Sequence, residues 1–103
     1  IAEGLQIPAQ HATGLFRILQ ESLTNITRHA NASQIVIHLE NSMNDFILYI
    51  EDDGVGFDMK QPGQTRTLGL LGMKERTLMM KGQFLIESEP KNGTSVKVRV
   101  PLN

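Results

Sequence analysis

The 103-residue sequence has no cysteine and no tryptophan, and only one tyrosine. Without cysteine there is no disulfide frame, no thiolate zinc site and no cysteine nucleophile. A reducing, cytoplasmic setting fits that lack. No apolar run reaches the ~18 residues that a membrane span needs, and no signal-peptide pattern is visible. Neither sign of charge dominates: 10 basic residues stand against 11 acidic ones, for a net charge of −1. That balance argues against a general nucleic-acid binder, whose domain would be strongly basic. The length suffices for one domain and not for two. The first residues are Ile1-Ala2-Glu3, without Met. The expectation is therefore a single domain over 1–103, cut from a longer protein, with 1–8 as a lead-in ending at Pro8.

What is present is strongly patterned. From Ala9 to Ala30 there is no proline and only Gly14, which predicts a long helix. Leu15, Phe16, Leu19, Leu23, Ile26 and Ala30 recur at threes and fours and form one apolar stripe. "NAS" at 31–33 ends it. "QIVIHLE" (34–40) and "FILYIED" (46–52) are β-branched and apolar, and "NSMND" (41–45) reads as the turn of a hairpin between them. Residues 53–68 are rich in Gly, Gln, Thr and Pro, and connections of that length are commonly functional. A second helix is predicted over Gly69–Lys81 with Gly82 as its stop signal. "QFLIESE" and "TSVKVRVPL" then read as two strands around "PKNG". The order helix, two strands, loop, helix, two strands predicts an α+β fold. It is a two-layer α/β sandwich with helices on one face of a mixed, mostly antiparallel sheet.

Three short stretches carry candidate chemistry. On the first helix, Glu21, Asn25 and Arg28 are spaced by four and three and share a face, nearly opposite the predicted stripe. One reading is a solvated face. The other is a carboxylate, an amide oxygen and a guanidinium converging on a metal–phosphate group. Mg²⁺ takes hard oxygen ligands and keeps several waters, so Asn25 can suffice as the protein's share, and Arg28 can pair with phosphate oxygens.

The second stretch is "IEDDGVGFD" (50–58). It reads either as a glycine turn or as a ligand site. It lacks the acid spacing of an EF-hand, the Lys-Ser/Thr of a P-loop and the third glycine of a dinucleotide fingerprint. As a ligand site it offers Asp52, which can accept a hydrogen bond from an exocyclic amine such as that of adenine. Gly54 and Gly56 offer bare backbone against which a flat base can lie. The third stretch, "LGLLGMKER", sets Gly69 and Gly72 where a helix start can offer N–H groups to phosphate, or where small residues simply pack. None of His11, His29 and His38 has a partner at metal-ligand spacing with a third ligand, so a zinc site is rejected. His29, beside Arg28, can sit near phosphate.

Each stretch alone is weak, but their order is specific. "LQESLTNITRHANAS", "IEDDGVGFD", "LGLLGMKER" and "NGTSVKVRVPL" together resemble the ATP-binding catalytic domain of bacterial sensor histidine kinases. The similarity is greatest to the subfamily acting on NarL/LuxR-type response regulators. The wider group shares the Bergerat nucleotide fold with DNA gyrase, Hsp90 and MutL. The resemblance runs from about Leu15 to the C-terminus.

It implies Mg·ATP bound under a lid at Phe57–Leu68. Asn25 is then the Mg²⁺ ligand, with Arg28 and His29 at the basic positions near phosphates. Glu21 takes the place of the water-activating Glu of hydrolysing relatives. Asp52 becomes the adenine-reading carboxylate, followed by the box glycines Gly54 and Gly56. Gly69, Leu71 and Gly72 correspond to the lid-closing box, and Thr94 lies within reach of adenine or its water. Asp53 stands where many relatives have Asn. Relatives often read Gly-His-Gly-Leu where this chain has Thr67-Leu68-Gly69-Leu70.

The resemblance also implies partners: a dimerisation and phosphoacceptor domain of the same parent protein, and a response regulator downstream. No nucleic-acid partner is implied. The isolated domain is expected to be a monomer and the parent a homodimer, with the domain cytoplasmic and the parent anchored or not in the inner membrane. The alternatives that remain open are an ATP-hydrolysing switch, a serine kinase of the anti-sigma type, and a degenerate interaction module.

Overall fold

A computed structural model describes residues 5–57 and 64–102, with the backbone alone at 29–30 and 64–68. Six elements carry the fold: α1 (Ala12–Asn25), β1 (Ile35–Ser42), β2 (Asp45–Asp52), α2 (Gln64–Met79), β3 (Gln83–Ser88) and β4 (Thr94–Pro101). A 3₁₀ turn at Ala9–His11 leads into α1, and a π-helical turn at Ile26–Ala30 extends it. Asn31, in the left-handed region at φ 50°, ends the helix as Asn commonly does at that position.

The four strands form one antiparallel sheet in the order β1-β2-β4-β3. β1 and β2 make the expected hairpin. Strand alternation sends Phe46, Leu48 and Ile50 of β2 and Val96, Val98 and Val100 of β4 to one face. There they meet Leu15, Ile18 and Ile26 from the first helix and Met73 and Met80 from the second. The two-layer sandwich expected from element order is thus the observed architecture. β1 forms one margin of the sheet, and its Ile35, Val36 and Ile37 are about half exposed.

Three details differ from expectation. The core stripe of α1 is Leu15, Ile18, Ser22 and Ile26, while Phe16 is 61% exposed. The true stripe is rotated relative to the predicted one. On a wheel of ~100° per residue it puts Asn25 at the border of the buried face, beside Ser22 and Ile26, and not opposite it. Second, α2 begins at Gln64, one turn and more before Gly69.

Third, the left-handed residue after α2 is Lys81, at φ 60°. Gly82 N–H bonds Thr77 C=O at 2.9 Å and Lys81 N–H bonds Leu78 C=O at 2.9 Å, the paired bonds of a Schellman ending. Gly82 is needed for a different reason: a Cβ there would run into the backbone oxygen of Arg99.

Candidate functional site

The sheet face under the helices is apolar until its last row. Register places Asp52 of β2 opposite Thr94 of β4, and Thr94 opposite Ser88 of β3. The next row inward is Ile50, Val96 and Ile86. A polar row therefore closes one end of a hydrophobic surface. Above it lies a cavity of ≈ 40 Å³, lined by Ser22, Asn25 and Ile26 of the first helix, by Asp52, Gly56 and Phe57 at the end of β2, by Leu70 and Met73 of α2, and by Thr94 among the strand residues. Apolar walls with a few convergent polar groups are the usual make-up of a small-molecule site. A water needs roughly 10–15 Å³ of such volume, so the cavity as it stands admits a few waters.

Asp52 is only 5% exposed. Its Oδ1 accepts the N–H of Gly54 at 2.8 Å. A buried carboxylate with one partner has lone pairs to spare, and this one borders the cavity. The segment after it is pinned to the β3–β4 turn. Gly56 adopts φ +62°, and a Cβ on it would overlap the backbone oxygen of Glu89. Gly93 at φ +76° likewise packs against the Asp52 carbonyl. Gly56 does line the cavity, but its missing Cβ serves the approach of protein backbone and not only that of a ligand. Lys91 N–H donates to Val55 C=O and completes the attachment.

Asp53 has a separate task. Its Oδ1 accepts the backbone N–H groups of Ser33 at 2.8 Å and Gln34 at 2.9 Å, and its Oδ2 accepts the Ser33 hydroxyl. The carboxylate thereby ties the end of β2 to the residues that follow the first helix. These bonds, first that of the Ser33 hydroxyl and then that of the Gln34 N–H, hold its pKa below the ordinary carboxylate value.

Glu21 and Asn25 are half buried and meet α2 at Gly69. A Cβ on Gly69 would overlap Glu21 Oε1 and lie 3.6 Å from Asn25 Nδ2. The residues expected from the first and third stretches are thus brought together, in an unexpected way. Gly69 is the sixth residue of α2, so its N–H lies within the helix and not at the free N-terminus expected of it. Leu71 is 50% exposed and Gly72 faces open space; α2 contributes Leu70 and Met73 to the cavity instead. Arg28 is exposed and lines a separate shallow depression with Gln20, Leu23, Thr24 and Thr27. The His29 side chain and half of the expected lid, at 58–63, lie outside the described residues. His38 is exposed beside Glu40, 3.6 Å away.

The sequence reading missed Ser88, Ser22, Leu70 and Met73. The strand pairing of Ser88 with the recognised Thr94 is the signal that finds it. Among the described residues, no group of three or more His, Cys, Asp or Glu side chains could hold a metal. The Glu21 carboxylate and the Asn25 amide both lie against Gly69, and their oxygens are of the hard kind that suits a Mg²⁺ taking its remaining ligands from phosphate and water.

Residues 10–103 match the family model described as "Histidine kinase-, DNA gyrase B-, and HSP90-like ATPase". The chain belongs to this family. As a member of an ATPase family it is an ATP-binding domain. Among similar proteins, the signal transduction histidine-protein kinase/phosphatase DegS of Brevibacillus brevis is 37% identical over 102 residues, covering 99% of this chain and 26% of DegS. DegS of Bacillus subtilis is 35% identical over 98% of the chain and 27% of its own length. The sensor protein VraS of Staphylococcus aureus is 35% identical over 98% of the chain and 29% of VraS. The ATPase domain thus spans about a quarter of the length of these relatives.

The fold resembles that of histidine kinase AdeS from Acinetobacter baumannii, with a TM-score of 0.74 at 20% identity over 88% of this chain and 47% of that one. It also resembles the histidine kinase domain of the blue-light activated kinase from Erythrobacter litoralis EL346, with a TM-score of 0.71 at 23% identity over 93% of this chain and 46% of that one. Among the described residues, no helix is long and apolar enough to cross a membrane.

Proposed function

We propose that this chain is one ATP-binding catalytic domain, 1–103, of a longer sensor histidine kinase, and that it donates the γ-phosphoryl of ATP to a histidine outside the chain. The observation that carries this reading is the buried Asp52 carboxylate at the polar end of an otherwise apolar cavity. It suits a base that is flat, largely apolar in its faces and marked by an exocyclic amine. Asp52 accepts that amine, Thr94 borders the same base edge, and Ile50, Val96 and Met73 enclose the ring.

Asn25 with Glu21 beside it would hold Mg²⁺, which supplies neutralisation of phosphate charge when bound. Positioning and charge neutralisation account for most phosphoryl-transfer catalysis, so no covalent residue is required of this chain. Arg28 and His29, on the turn that follows Asn25, are assigned to the phosphates on the resemblance to histidine kinases. The phosphoacceptor and dimerisation helices, a NarL/LuxR-type response regulator and a cytoplasmic placement belong to the same proposal.

Calorimetry with a non-hydrolysable ATP analogue, with and without Mg²⁺, tests it. Binding is expected to depend on Mg²⁺. Asp52→Ala should lower affinity about tenfold or more, as hydrogen bonds to charged groups contribute roughly 1.5–3 kcal/mol. Unchanged affinity in Asp52→Ala would refute the assignment of the base. Alone, the chain should phosphorylate nothing, and label from ATP appearing on His11, His29 or His38 would overturn the phosphotransfer role.

The packing of Glu21 against Gly69, beside Asn25, favours one second reading, in which Glu21 activates water and the domain is a hydrolysing switch. Steady phosphate release that vanishes in Glu21→Ala would decide for it.

A further inference from the structure

Asp53 does not line the cavity, yet its side chain is bonded more heavily than that of Asp52 beside it. Its Oδ1 accepts the backbone N–H groups of Ser33 and Gln34, and its Oδ2 accepts the Ser33 hydroxyl. The Asp53 N–H in turn donates to the Gln34 carbonyl at 3.3 Å. These bonds latch residue 53 to residues 33 and 34, one step past Ile35 and Asp52, the last pair of the β1–β2 ladder.

The latch holds the exit of the first helix. Asn25 is the last residue of α1, and a π-helical turn at Ile26–Ala30 carries Arg28 and leads on toward the latch. Such turns are rare and tend to occur at functional sites. The chain then passes Asn31, in the left-handed region, and Ala32, which packs against the core. A π turn interrupts the α-helical pattern, so its course depends on how its two ends are held. α1 holds one end. Ser33 and Gln34, bonded to Asp53, hold the other.

Asp52 borders the cavity from the sheet, and Asn25 borders it from the helix layer. In a nucleotide the base and the phosphates are joined covalently, so groups at both ends are engaged together only at one separation. A contact made by a group already in place costs less ordering than one made by a group that must be fixed on binding.

We propose that Asp53 is a positioning residue for Mg·nucleotide: its bonds to Ser33 and Gln34 fix the exit of the first helix, and with it Asn25 and Arg28, relative to Asp52. The two adjacent acids then serve opposite ends of one ligand. The proposal rests on the nucleotide reading of the cavity. Asn can replace Asp53 in this task. Its oxygen accepts the two N–H groups, and its NH₂, in the place of Oδ2, donates to the Ser33 hydroxyl. Alanine offers neither.

The test compares two ligands: a non-hydrolysable ATP analogue with Mg²⁺, by calorimetry, and adenosine, by NMR titration. Adenosine engages the base end alone. In Asp53→Ala the Mg·analogue should bind about tenfold more weakly while adenosine stays within about twofold. Asp53→Asn should keep both affinities near those of the unsubstituted chain. A role confined to stability would weaken both ligands alike or neither, and either result overturns the proposal. So does an Asp53→Asn variant that behaves as Asp53→Ala does. Should Asp53→Ala fail to fold, Ser33→Ala carries the test, since it removes the hydroxyl bond and keeps both N–H bonds. It should weaken the Mg·analogue about threefold and adenosine not at all, and an unmoved ratio overturns the proposal. Binding of neither ligand by the unsubstituted chain removes the nucleotide reading itself. Binding of both with an unmoved ratio in the variants removes this inference alone.

Discussion

Gly69 in α2 stands against Glu21 in α1 with no room for a Cβ between the α2 backbone and the Glu21 carboxylate. The contact lies beside Asn25, which borders the cavity. The obstructing atom is the far end of a flexible side chain. Gly69→Ala should therefore displace Glu21 at a stability cost below about 1 kcal/mol, less than the ~1–3 kcal/mol of overpacking a rigid site. Adding Glu21→Ala to Gly69→Ala should restore what was lost. Thermal melts of the two single variants and the double variant check this. Effects that simply add would show that the two side chains do not meet.

Gly82 gives the opposite outcome for the same substitution. Its missing Cβ faces the Arg99 backbone oxygen, with Val100 Cγ1 at 2.7 Å and Thr77 Cγ2 at 3.1 Å. Backbone in a sheet cannot swing away. Gly82→Ala should cost about 1–3 kcal/mol in urea unfolding. Lys81→Gly, one residue earlier, should gain roughly 1 kcal/mol because Lys81 holds the left-handed conformation. If Lys81→Gly destabilised and Gly82→Ala did not, the assignment of the helix ending would be wrong.

The orientation of α1 can be read from two truncations. Ile18 is fully buried and Phe16 is exposed. Ile18→Ala should cost about 2–5 kcal/mol through lost burial and a cavity, whereas Phe16→Ala should stay within about 0.5 kcal/mol. Denaturant midpoints measure both. Comparable losses would return the helix to the stripe first expected from the sequence.

Asp53 makes acid stability testable. Its pKa is lowered in the folded chain, chiefly by the Ser33 hydroxyl, so folding favours its charged form. The stabilisation is present in full above the unfolded value, near pH 4, and is lost as pH falls through the folded value. The advantage of the unsubstituted chain over Asp53→Asn should be level from pH 7 to pH 5 and shrink below about pH 4. An advantage that persists unchanged to pH 2 in melting experiments would mean that the carboxylate is not held by Ser33 and Gln34.

Much of the fold was legible from local signals. β-Branched runs on either side of "NSMND" and "PKNG" define the hairpins, because strand preference and turn residues are both local. The site was legible as a set of boxes, and the cavity does bring together Asn25, Asp52, Gly56 and Thr94. The order of those boxes pointed to the family before any coordinates did.

What the sequence by itself determined, then, was the element order and the hairpins. The phase of α1 was beyond it. The apolar residues of the helix support two overlapping stripes, and only packing against β2 and α2 selects Ile18 and Ser22 over Phe16. The two adjacent acids were told apart on paper by the resemblance and not by their local chemistry. Strand alternation sends Asp52 inward to the cavity, and the approach of Ser33 and Gln34 captures Asp53. Ser88 was invisible for the same reason: its partners, Phe57 and Gly93, are brought to it by a sheet register and by two glycines that let backbone meet backbone. Contacts between residues far apart in the chain depend on which surfaces can bury one another, and that was decided only when the helices closed on the sheet.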